Sequence, residues 1–392
     1  MNYKFPIIEN ISDVLPAIEG CDDFQVTVKG DYTVIGYRLQ SNTMFPPIYD
    51  EQGNYNLYAA LRRECRGIIF CSHTGMILSR PFGKFFNYGE KTETLPENIN
   101  IKDDNHTILN KCDGSMIRFF NLNNELISST KAGITDTSEI CDKFIENKPE
   151  YKHHAKYWLN RGFTAIYELC TKQNRIVLSY PEDTMILTAI RNMKTGEYIS
   201  YDAMVESASD FNIPVVDSFN PINDITSFSD NVRDEQGIEG YVIRFHDGHM
   251  LKIKTDEYVA IHKAKESILW DRNIVELIIE NKLDDIKAHL TRDEQNRLNI
   301  FENNIVSYIK EKEIEILNLG YDCSKSMTRK EFALNIAPKL DGLTKACVFS
   351  IYDWPIMYEV RKVVKKSILS NLTKNTNYDE LCKLWFKNER YN

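Results

Sequence analysis

Residues 111–115 contain the first side chain that could carry covalent chemistry, because they read KCDGS and stand directly before the apolar run MIRFF. A lysine that leads into a strand and is followed by Asp-Gly can present a single amine at the floor of a pocket. Such an amine acts as a nucleophile once its surroundings lower its pKa. A charged turn that feeds a hairpin has the same pattern, so this segment alone leaves both interpretations open.

Further charged residues fall within or beside predicted strands. LKIKT places Lys252 and Lys254 two residues apart, so their side chains share one strand face while Leu251 and Ile253 occupy the other. An edge strand exposed to solvent explains the same spacing. YELC places Glu168 in an apolar run, where a carboxylate needs a partner or a ligand because burying it unpaired is costly.

Three other segments add charged residues near predicted strands: Glu64 and Arg66 in ECRGIIF, Arg80 and Lys84 in RPFGKFFNYGE, and Glu239 in EGYVIRF. One domain therefore supplies several cations together with carboxylates. A pocket that handles a triphosphate with a divalent metal requires such a set. The cations neutralise phosphate charge in the transition state, and the carboxylates bind the metal or a ribose hydroxyl.

The elements that position these side chains are predicted from the apolar pattern. From about residue 31 to residue 255, apolar, β-branched and aromatic runs alternate with short turns rich in Gly or Asn, which indicates β-hairpins. TVIGYRL opens the series. The predicted pairs are GIIF with MILSR, MIRFF with LISST, MILTAIR with EYISY, and GYVIRF with MLKIK. Helices are predicted around residues 139–161 and 201–211.

The pattern changes after residue 255, where apolar residues recur at three- and four-residue spacing. Leu298, Phe301, Ile305 and Ile309 form one such stripe. Helices are predicted over residues 256–270, 273–290, 293–319, 329–340 and 355–372, with Pro355 in a first helical turn. We therefore predict an α+β protein: an N-terminal domain of antiparallel sheets with helices at residues 1–255, and an all-helical domain at residues 256–392.

Composition and motif content argue against a membrane protein, a secreted protein and the common nucleotide-binding loops. The 392 residues, 42% hydrophobic and 27% charged, predict a globular chain of two or three domains. No run of about 18 apolar residues occurs, and MNYKFPIIEN lacks a secretory pattern, so we expect no membrane segment and no leader. The loops GxxxxGK[ST] and GxGxxG are absent, and so is HExxH. A nucleotide would therefore be held in another way.

The cysteines and the net charge bear on which structural and binding classes the protein can belong to. Nine cysteines are scattered without a CxxC pair, which argues against a disulfide scaffold and a thiolate zinc site and favours reduced thiols. The net charge of −9 gives no support to indiscriminate coating of nucleic acid. It does not exclude a local basic groove.

Taken in order, these segments resemble the phage RNA ligase 1 family of the covalent nucleotidyltransferase superfamily. KCDGS resembles the nucleophile motif. ECRG and SRPFGKFFN resemble the upstream motifs, and YELCTKQNRIVLSY, MILTAIRNMKTGEYISYD, EGYV and LKIKTDEYV resemble the later ones. The match covers roughly residues 37–258 and is weaker in the helical tail. DNA ligases and capping enzymes share the KxDG, EG and KxK elements but lack the combined ECRG, RPFxKFFN and NRIVLxY segments.

The resemblance implies an ATP-dependent RNA ligase that joins 5′-phosphate and 3′-hydroxyl ends through an AMP–lysine intermediate on Lys111. It implies ATP and Mg²⁺, or Mn²⁺ in its place. The implied setting is repair of nicked tRNA by a monomer in the cytoplasm of a phage-infected bacterium, after end-healing by a separate kinase–phosphatase. A DNA ligase, a guanylyltransferase that uses GTP, and a non-catalytic RNA-binding module are the alternatives. Transfer of AMP to proteins is a further alternative, which no sequence feature supports.

Matching positions imply a role for each site residue. The implied catalytic residues are Lys111, Asp113, Lys252 and Lys254. The implied nucleotide-binding residues are Tyr37, Arg66, Lys84, Lys111, Lys131, Glu168, Lys252 and Lys254. The implied metal ligands are Glu239 and, for a second ion, Asp284 and Asp285. Asp113 either fixes the nucleophile loop or supports the metal.

Three groups of residues keep two interpretations each. Asp284 and Asp285 in LDDIKAHL also suit a solvated helix face. Tyr258 either neighbours the nucleotide or belongs to the core. The basic cluster, which is Arg361, Lys362, Lys365 and Lys366 on a predicted helix, either meets an RNA backbone or is simply solvated. His153 and His154 lack a partner at metal-ligand spacing and are expected at the surface.

Overall fold

The computed structural model describes residues 3–37, 43–102 and 105–392, and the chain forms two compact units, Met1–Val259 and Ala260–Asn392. Sheets and helices make up the first unit, and helices alone make up the second. The predicted α+β fold class is therefore confirmed. The units divide within a helix, Asp256–Ser267, near the predicted domain boundary after residue 255, which stays a prediction.

Three sheets form the framework of the first unit. The first contains β1 (Phe24–Lys29), β2 (Tyr32–Tyr37), β3 (Ile68–Cys71) and β4 (Ile77–Ser79), in that order. The remaining strands form the second and third sheets. They are β5 (Phe86–Asn87), β6 (His106–Asn110), β7 (Ser115–Leu122), β8 (Glu125–Ser129), β9 (Phe163–Cys170), β10 (Thr184–Asn192), β11 (Ser218–Phe219), β12 (Gly240–Phe245) and β13 (Met250–Lys254). Their orders are β10-β9-β7-β8 and β11-β6-β12-β13-β5, antiparallel except where β13 pairs with β5.

Three of the four predicted hairpins are confirmed, namely β3 with β4, β7 with β8, and β12 with β13. The fourth forms only in short form: the free edge of β10 meets the EYISY segment at a single antiparallel bridge, Arg191–Tyr198, where Asn192 N–H donates to Glu197 O at 2.8 Å and Ile199 N–H to Ile190 O at 3.1 Å. That segment turns directly into a helix whose first residue is Tyr201. The Ser200 hydroxyl caps this helix by accepting a hydrogen bond from the backbone N–H of Ala203.

The helices of the first unit are α1 (Leu15–Ile18), α2 (Leu57–Glu64), α3 (Asp136–Phe144), α4 (Pro149–Leu159), α5 (Tyr201–Asp210), α6 (Ile225–Asp234) and the start of α7 (Asp256–Ser267). The helix predicted at residues 201–211 is confirmed as α5. The single helix predicted at residues 139–161 is wrong, because two helices occupy that stretch. Pro149 opens the second of them, and the residue before it, Lys148, is non-helical at φ −132° and ψ 68°.

The second unit consists of the rest of α7, then α8 (Asp271–Glu280), α9 (Leu283–Lys287), α10 (Arg292–Ser326), α11 (Arg329–Asn335), α12 (Gly342–Ile351), α13 (Met357–Asn371) and α14 (Asn375–Trp385). Leu298, Phe301 and Ile305 of the predicted stripe are buried in its core, and Ile309 packs partly against it. Several details differ from prediction. The helix predicted at residues 293–319 extends to residue 326, the one predicted at 329–340 ends at residue 335, and α12 and α14 were not predicted. Asn281, with a left-handed φ of 56°, divides residues 273–290 into two helices, and Pro355 precedes α13.

The cysteine and membrane predictions can be compared with the same structure. All nine cysteines are free thiols. Within residues 3–37, 43–102 and 105–392, no helix combines the length and the apolar character needed to cross a bilayer. His153 is exposed as expected, but His154 is fully buried, where Nδ1 lies 2.7 Å from Tyr167 Oη, so its predicted surface position is wrong.

A buried ion-pair cluster joins three segments that are distant in sequence. Glu64, at the end of α2, lies 3.0 Å from Arg80 Nε and 2.8 Å from Arg191 Nη1. The exposed fraction of both arginine side chains is 0%. Burial acts to raise the pKa of Glu64, but the two arginines outweigh this and hold it below its usual value. Arg80, which was counted from sequence among the cations of the predicted pocket, instead pairs with Glu64 in this buried cluster.

We expect Glu64→Gln to lower the free energy of unfolding by about 3–5 kcal/mol, because it leaves two buried guanidinium groups without a counter-charge. Equilibrium urea unfolding followed by circular dichroism measures this. Glu9→Gln is the matched control, since Glu9 pairs with Lys194 at the surface, and it should cost at most about 1 kcal/mol. Because the folded pKa of Glu64 is depressed, its stabilisation is present above the unfolded pKa and is lost as pH falls. Equal losses in the two variants would contradict this role for the cluster.

Candidate active site

Lys111 lies in the connection between β6 and β7 and is held there by its backbone. Its N–H donates to Gly240 O at 2.9 Å, which links the nucleophile loop to the start of β12. Three residues later, Gly114 packs against β9 so closely that an added Cβ would stand 2.5 Å from Leu169 O. A side chain at this position would displace the loop, which explains the glycine in KCDG.

The Asp113 carboxylate is fully engaged in holding this loop. Its Oδ2 accepts hydrogen bonds from the backbone N–H groups of Val177 at 2.8 Å and Leu178 at 2.6 Å. Its Oδ1 accepts from the Tyr258 hydroxyl at 2.6 Å. Between the two roles expected for Asp113, these contacts favour fixing the loop. Tyr258 is 3% exposed, so its ring belongs to the core while its hydroxyl supports the loop.

Glu239 lies at the centre of the site and is paired with two lysines. Its Oε1 is 2.9 Å from Lys111 Nζ and 2.9 Å from Lys254 Nζ. The exposed fraction of the Glu239 side chain is 4%, against 21% and 24% for the lysines. The next residue, Gly240, has φ +136°, and a Cβ there would stand 2.0 Å from Ile253 O. Only glycine permits this approach of β12 to β13, which positions Glu239.

The two lysines of β13 lie on one face of the strand as predicted. Leu251 and Ile253 are buried on the other face, whereas Lys252 and Lys254 remain partly exposed. Lys252 Nζ is 5.6 Å from the centre of the Phe85 ring. Burial lowers the pKa of Lys252 to about 7, and the surrounding cations add to this effect. The cations responsible are Lys84, Lys111, Lys254 and Arg66.

Tyr37, Arg66, Lys84 and Lys131 form a second group of cations and one phenol. Lys131 Nζ lies 3.6 Å from the centre of the Tyr37 ring, and Tyr37 is hydrogen-bonded to Arg66. Burial and nearby Arg66 lower the pKa of Lys131 to about 8. Burial also lowers the pKa of Lys84 to about 8. Gly67 permits this clustering, because its φ is +94° and a Cβ would stand 2.2 Å from Lys131 O.

Glu168 projects from β9 near the same group of charges. In the described part of the chain, its carboxyl forms neither a hydrogen bond nor an ion pair. Burial raises the pKa of Glu168 to about 7; Lys111 and Arg66 oppose this rise, and Glu239 and Asp113 add to it. A partly buried carboxyl without a protein partner is suited to bind a ligand.

The structure thus brings Tyr37, Arg66, Lys84, Lys111, Asp113, Lys131, Glu168, Glu239, Lys252 and Lys254 together in the first unit. It also adds Glu90, which sequence reasoning missed. Burial acts to raise the pKa of Glu90, but the hydrogen bond from the Asn87 N–H and the charges of Lys84 and Lys252 hold it below its usual value. The segment RPFGKFFNYGE, already singled out for its cations, ends in this residue. Tyr180, whose hydroxyl accepts a hydrogen bond from the Asp113 N–H at 2.8 Å, ends the motif YELCTKQNRIVLSY but was given no role from sequence.

Asp284 and Asp285 belong to the second unit. Both are exposed on α9, and Asp284 Oδ1 lies 3.2 Å from Lys287 Nζ. Across residues 3–37, 43–102 and 105–392, no group of three His, Cys, Asp or Glu side chains is arranged to hold a metal ion. These contacts suit the alternative of a solvated helix face, and a second metal site stays a prediction. The basic cluster on α13 is also exposed, and its Arg361 lies 3.6 Å from Glu313.

Comparison with known proteins gives two matching family models: RNA ligase, over residues 64–258, and the T4 RNA ligase 1 C-terminal domain, over residues 265–379. A putative RNA ligase of Thermovibrio ammonificans is 27% identical over 72% of this chain and 72% of its own length. A putative bifunctional polynucleotide kinase/RNA ligase of Autographa californica nuclear polyhedrosis virus is 26% identical over 68% of this chain and 39% of its own. RNA ligase 1 of bacteriophage TS2126 is 25% identical over 58% of each chain.

The first unit therefore combines antiparallel sheets with one lysine amine that is surrounded by further cations and two carboxylates. The chain belongs to the RNA ligase family, with matches in both its sheet-containing and its helical parts. Its enzyme class is therefore RNA ligase. The resemblance to the phage RNA ligase 1 family is confirmed.

Proposed function

We propose that this protein is an ATP-dependent ligase that joins a 5′-phosphate and a 3′-hydroxyl of RNA through an AMP–lysine intermediate on Lys111. The observation that carries the proposal is the pairing of the Lys111 amine with Glu239 at 2.9 Å, beside a wall of cations. Phosphoryl transfer depends on positioning and charge neutralisation, and this arrangement supplies both.

In the first step, Lys111 Nζ forms a bond to the α-phosphorus of ATP while the bond from that phosphorus to pyrophosphate breaks. The amine must lose a proton to attack, and Glu239 Oε1 is the carboxylate oxygen within hydrogen-bonding distance to receive it. Lys252 and Lys254 would contact the α-phosphate, and Arg66, Lys84 and Lys131 the remaining phosphates or the ribose. Tyr37 would lie beside the nucleotide.

In the second step, an oxygen of the RNA 5′-phosphate bonds to the AMP phosphorus and the bond to Lys111 Nζ breaks. The lysine then recovers its proton. In the third step, the RNA 3′-hydroxyl bonds to the activated 5′-phosphorus and AMP leaves. Asp113 keeps the loop in place through these steps without contacting the reacting atoms.

The carboxylates of this site fit a divalent cation. Mg²⁺ is usually held by one or two carboxylates together with substrate phosphates, and Glu239 with the unpaired Glu168 provides that donor set. Mg²⁺, or Mn²⁺, would neutralise phosphate charge when bound. Glu168 is equally placed to accept a hydrogen bond from the ribose hydroxyl, as the family resemblance implies.

The biological setting is proposed from the family resemblance: repair of nicked tRNA by a monomer in the cytoplasm of an infected bacterium. The name of the baculovirus relative couples a polynucleotide kinase to an RNA ligase. This supports cooperation of the present protein with an end-healing kinase. That a separate kinase–phosphatase prepares the 5′-phosphate and the 3′-hydroxyl is proposed from the family resemblance alone.

The test is incubation of the purified protein with α-labelled ATP and Mg²⁺, without RNA, for the wild type and Lys111→Ala. We expect label that survives a denaturing gel in the wild type only and that chases onto 5′-phosphorylated RNA. Chase onto DNA, or labelling by GTP, would favour the DNA ligase or the guanylyltransferase. A folded wild type that takes up no label would favour the RNA-binding module.

The lowered lysine pKa values predict that ATP binding takes up protons. Lys252, Lys84 and Lys131 have pKa values of about 7 to 8 in the free protein, and phosphate charge raises them in the complex. Affinity is therefore highest below the free pKa values and falls as pH rises through the bound ones. Glu168, with its pKa raised to about 7, releases a proton if it binds a ribose hydroxyl, so it opposes this uptake.

Calorimetric titration at pH 8 with an ATP analogue that cannot transfer AMP, in two buffers of different ionisation enthalpy, measures the protons. We expect net uptake of about one proton or more in the wild type, and less in Lys252→Met. Lys156→Met removes an exposed lysine of α4 and should match the wild type. Net proton release in the wild type would contradict the proposed contacts between these lysines and phosphate.

A further inference from the structure

A second cleft of about 840 Å³ opens in the first unit around the far ends of β6 and β12. Its walls are rich in aromatic residues: Tyr3, Phe5, Tyr198, Tyr201, Phe219 and Phe245. None of the lysines of the candidate active site lines it. Glu239 immediately precedes β12 and Arg244 lies five positions later, so at ~3.3 Å per residue the two are about 17 Å apart along the strand.

Arg244 is the main polar feature of this cleft. Its exposed fraction is 6%, and its Nη1 has no hydrogen-bond partner. Over the described ranges of the chain, no carboxylate forms an ion pair with it, and burial lowers the pKa of its guanidinium. A buried guanidinium without a counter-charge is costly, so an anion that enters the cleft would be strongly favoured.

The remaining charged groups of the cleft leave this guanidinium without compensation. The Asp247 carboxylate accepts hydrogen bonds from the backbone N–H groups of Tyr3 at 2.8 Å and His249 at 3.0 Å. Glu197 accepts from the Thr195 hydroxyl at 3.0 Å and, like Asp202, is exposed. These carboxylates bind elsewhere or face solvent.

An exposed aromatic ring stands on the same cleft wall. The exposed fraction of Phe219 is 46%, although its other side is fixed by an edge-on contact with the Tyr241 ring, at 5.1 Å between centroids. Phe219 belongs to the short edge strand β11. A ring that is held in place and open on one face is a stacking surface for a nucleobase.

We propose that this cleft binds single-stranded RNA outside the lysine pocket, with one backbone phosphate at Arg244 and an adjacent base on Phe219. The identity of the ligand rests on the proposed function, whereas the site itself rests on the unpaired arginine, the open ring and the cleft. Guanidinium groups bind phosphate in pairs of parallel hydrogen bonds, and aromatic rings stack on bases without sequence preference. The cleft would hold the strand a few nucleotides from the joined ends.

The test measures equilibrium binding of a fluorescent single-stranded RNA, blocked at both ends, by anisotropy in EDTA and without ATP. We expect Arg244→Met to weaken binding by about 10- to 100-fold. The slope of log affinity against log salt should fall by about 0.7, as for one lost phosphate contact on a single strand. Arg233→Met is the matched control, because it removes an exposed arginine of α6, and its affinity should stay within about twofold of wild type.

A second pair of variants keeps the test decisive if Arg244→Met does not fold. Phe219→Ala should weaken RNA binding about tenfold. Tyr58→Ala, which removes a ring 51% exposed on α2, should not. Protein–AMP formation needs no RNA and is expected at wild-type level in Phe219→Ala. Its loss in every protein, the wild type included, would refute the proposed function while leaving the anisotropy result to stand on its own.

Three outcomes would overturn the proposed RNA cleft. The first is unchanged RNA affinity in both Arg244→Met and Phe219→Ala. The second is equal weakening by the two control variants. The third is displacement of the RNA by AMP at micromolar concentration, with the displacement lost in Arg244→Met, because the cleft would then be a site for a mononucleotide.

Discussion

Lys111→Met is expected to lower the transfer of AMP from ATP by about 10⁴-fold or more, yet to retain the sealing of an RNA strand that already carries a 5′-linked AMP. The first reaction needs the amine as nucleophile. The sealing reaction neither makes nor breaks a bond to Lys111, because the RNA 3′-hydroxyl attacks and AMP leaves. Glu239 stays paired with Lys254 in this variant, at 2.9 Å in the present structure, so the carboxylate keeps a counter-charge.

The two reactions are measured separately, with labelled ATP alone and with a pre-adenylylated RNA strand opposite a 3′-hydroxyl acceptor. The rate of the second should stay within about tenfold of wild type. Lys156→Met serves as the control for both assays. Normal AMP transfer by Lys111→Met would place the nucleophile elsewhere. Loss of both reactions in a folded variant would assign Lys111 a role in sealing as well.

The sequence predicted the strands and the alternation of their side chains well, because both depend on local pattern. The two-residue spacing of Lys252 and Lys254 specifies one face of a strand, and β13 has this arrangement. The glycines of KCDG and EG mark close contacts, and both positions lack room for a Cβ. Local rules therefore predicted the strands and turns that carry Lys111 and Glu239.

The errors arise where the environment of a residue comes from distant parts of the chain. Arg80 and Lys84 stand in one short segment, but only Arg80 pairs with Glu64, which lies 16 residues away. Glu64 also pairs with Arg191, which lies 127 residues from it. His154 was predicted at the surface, but it is buried with its Nδ1 2.7 Å from the Tyr167 hydroxyl oxygen. No spacing rule in the sequence contains these contacts.

Whether Asp113 fixes the nucleophile loop or supports the metal also depended on contacts with residues that are distant in sequence. Its partners at Val177, Leu178 and Tyr258 are 64 to 145 residues away in sequence. Glu90 was missed because the cations of its segment drew the interpretation toward phosphate binding. Pro149 is a different case, since a local rule would have divided that helix correctly.

Glu239→Gln is expected to slow formation of the AMP–lysine by about 10²- to 10³-fold. One Glu239 oxygen lies 2.9 Å from two ammonium groups in a site where its own side chain is 4% exposed, so screening by water is weak. A neutral amide leaves both lysines without a counter-charge and can accept no proton from Lys111. The rate of labelling by α-labelled ATP measures the loss. Glu206→Gln, at an exposed position on α5, is the control.

The Mg²⁺ dependence of the same reaction separates the two roles proposed for Glu239. If its carboxylate binds the metal, the Mg²⁺ concentration for half-maximal rate should rise by about 10- to 100-fold in Glu239→Gln. If it acts only through the lysines, that concentration should stay as in wild type while the maximal rate falls. The lysine-only role also predicts a change in how the rate of AMP transfer depends on pH. Among the ion pairs of the described residues, Glu239 is the carboxylate partner of both Lys111 and Lys254, so the substitution removes their counter-charge. A Glu239→Gln rate within twofold of wild type would contradict both roles, and would leave the unpaired Glu168 as the carboxylate on which AMP transfer depends.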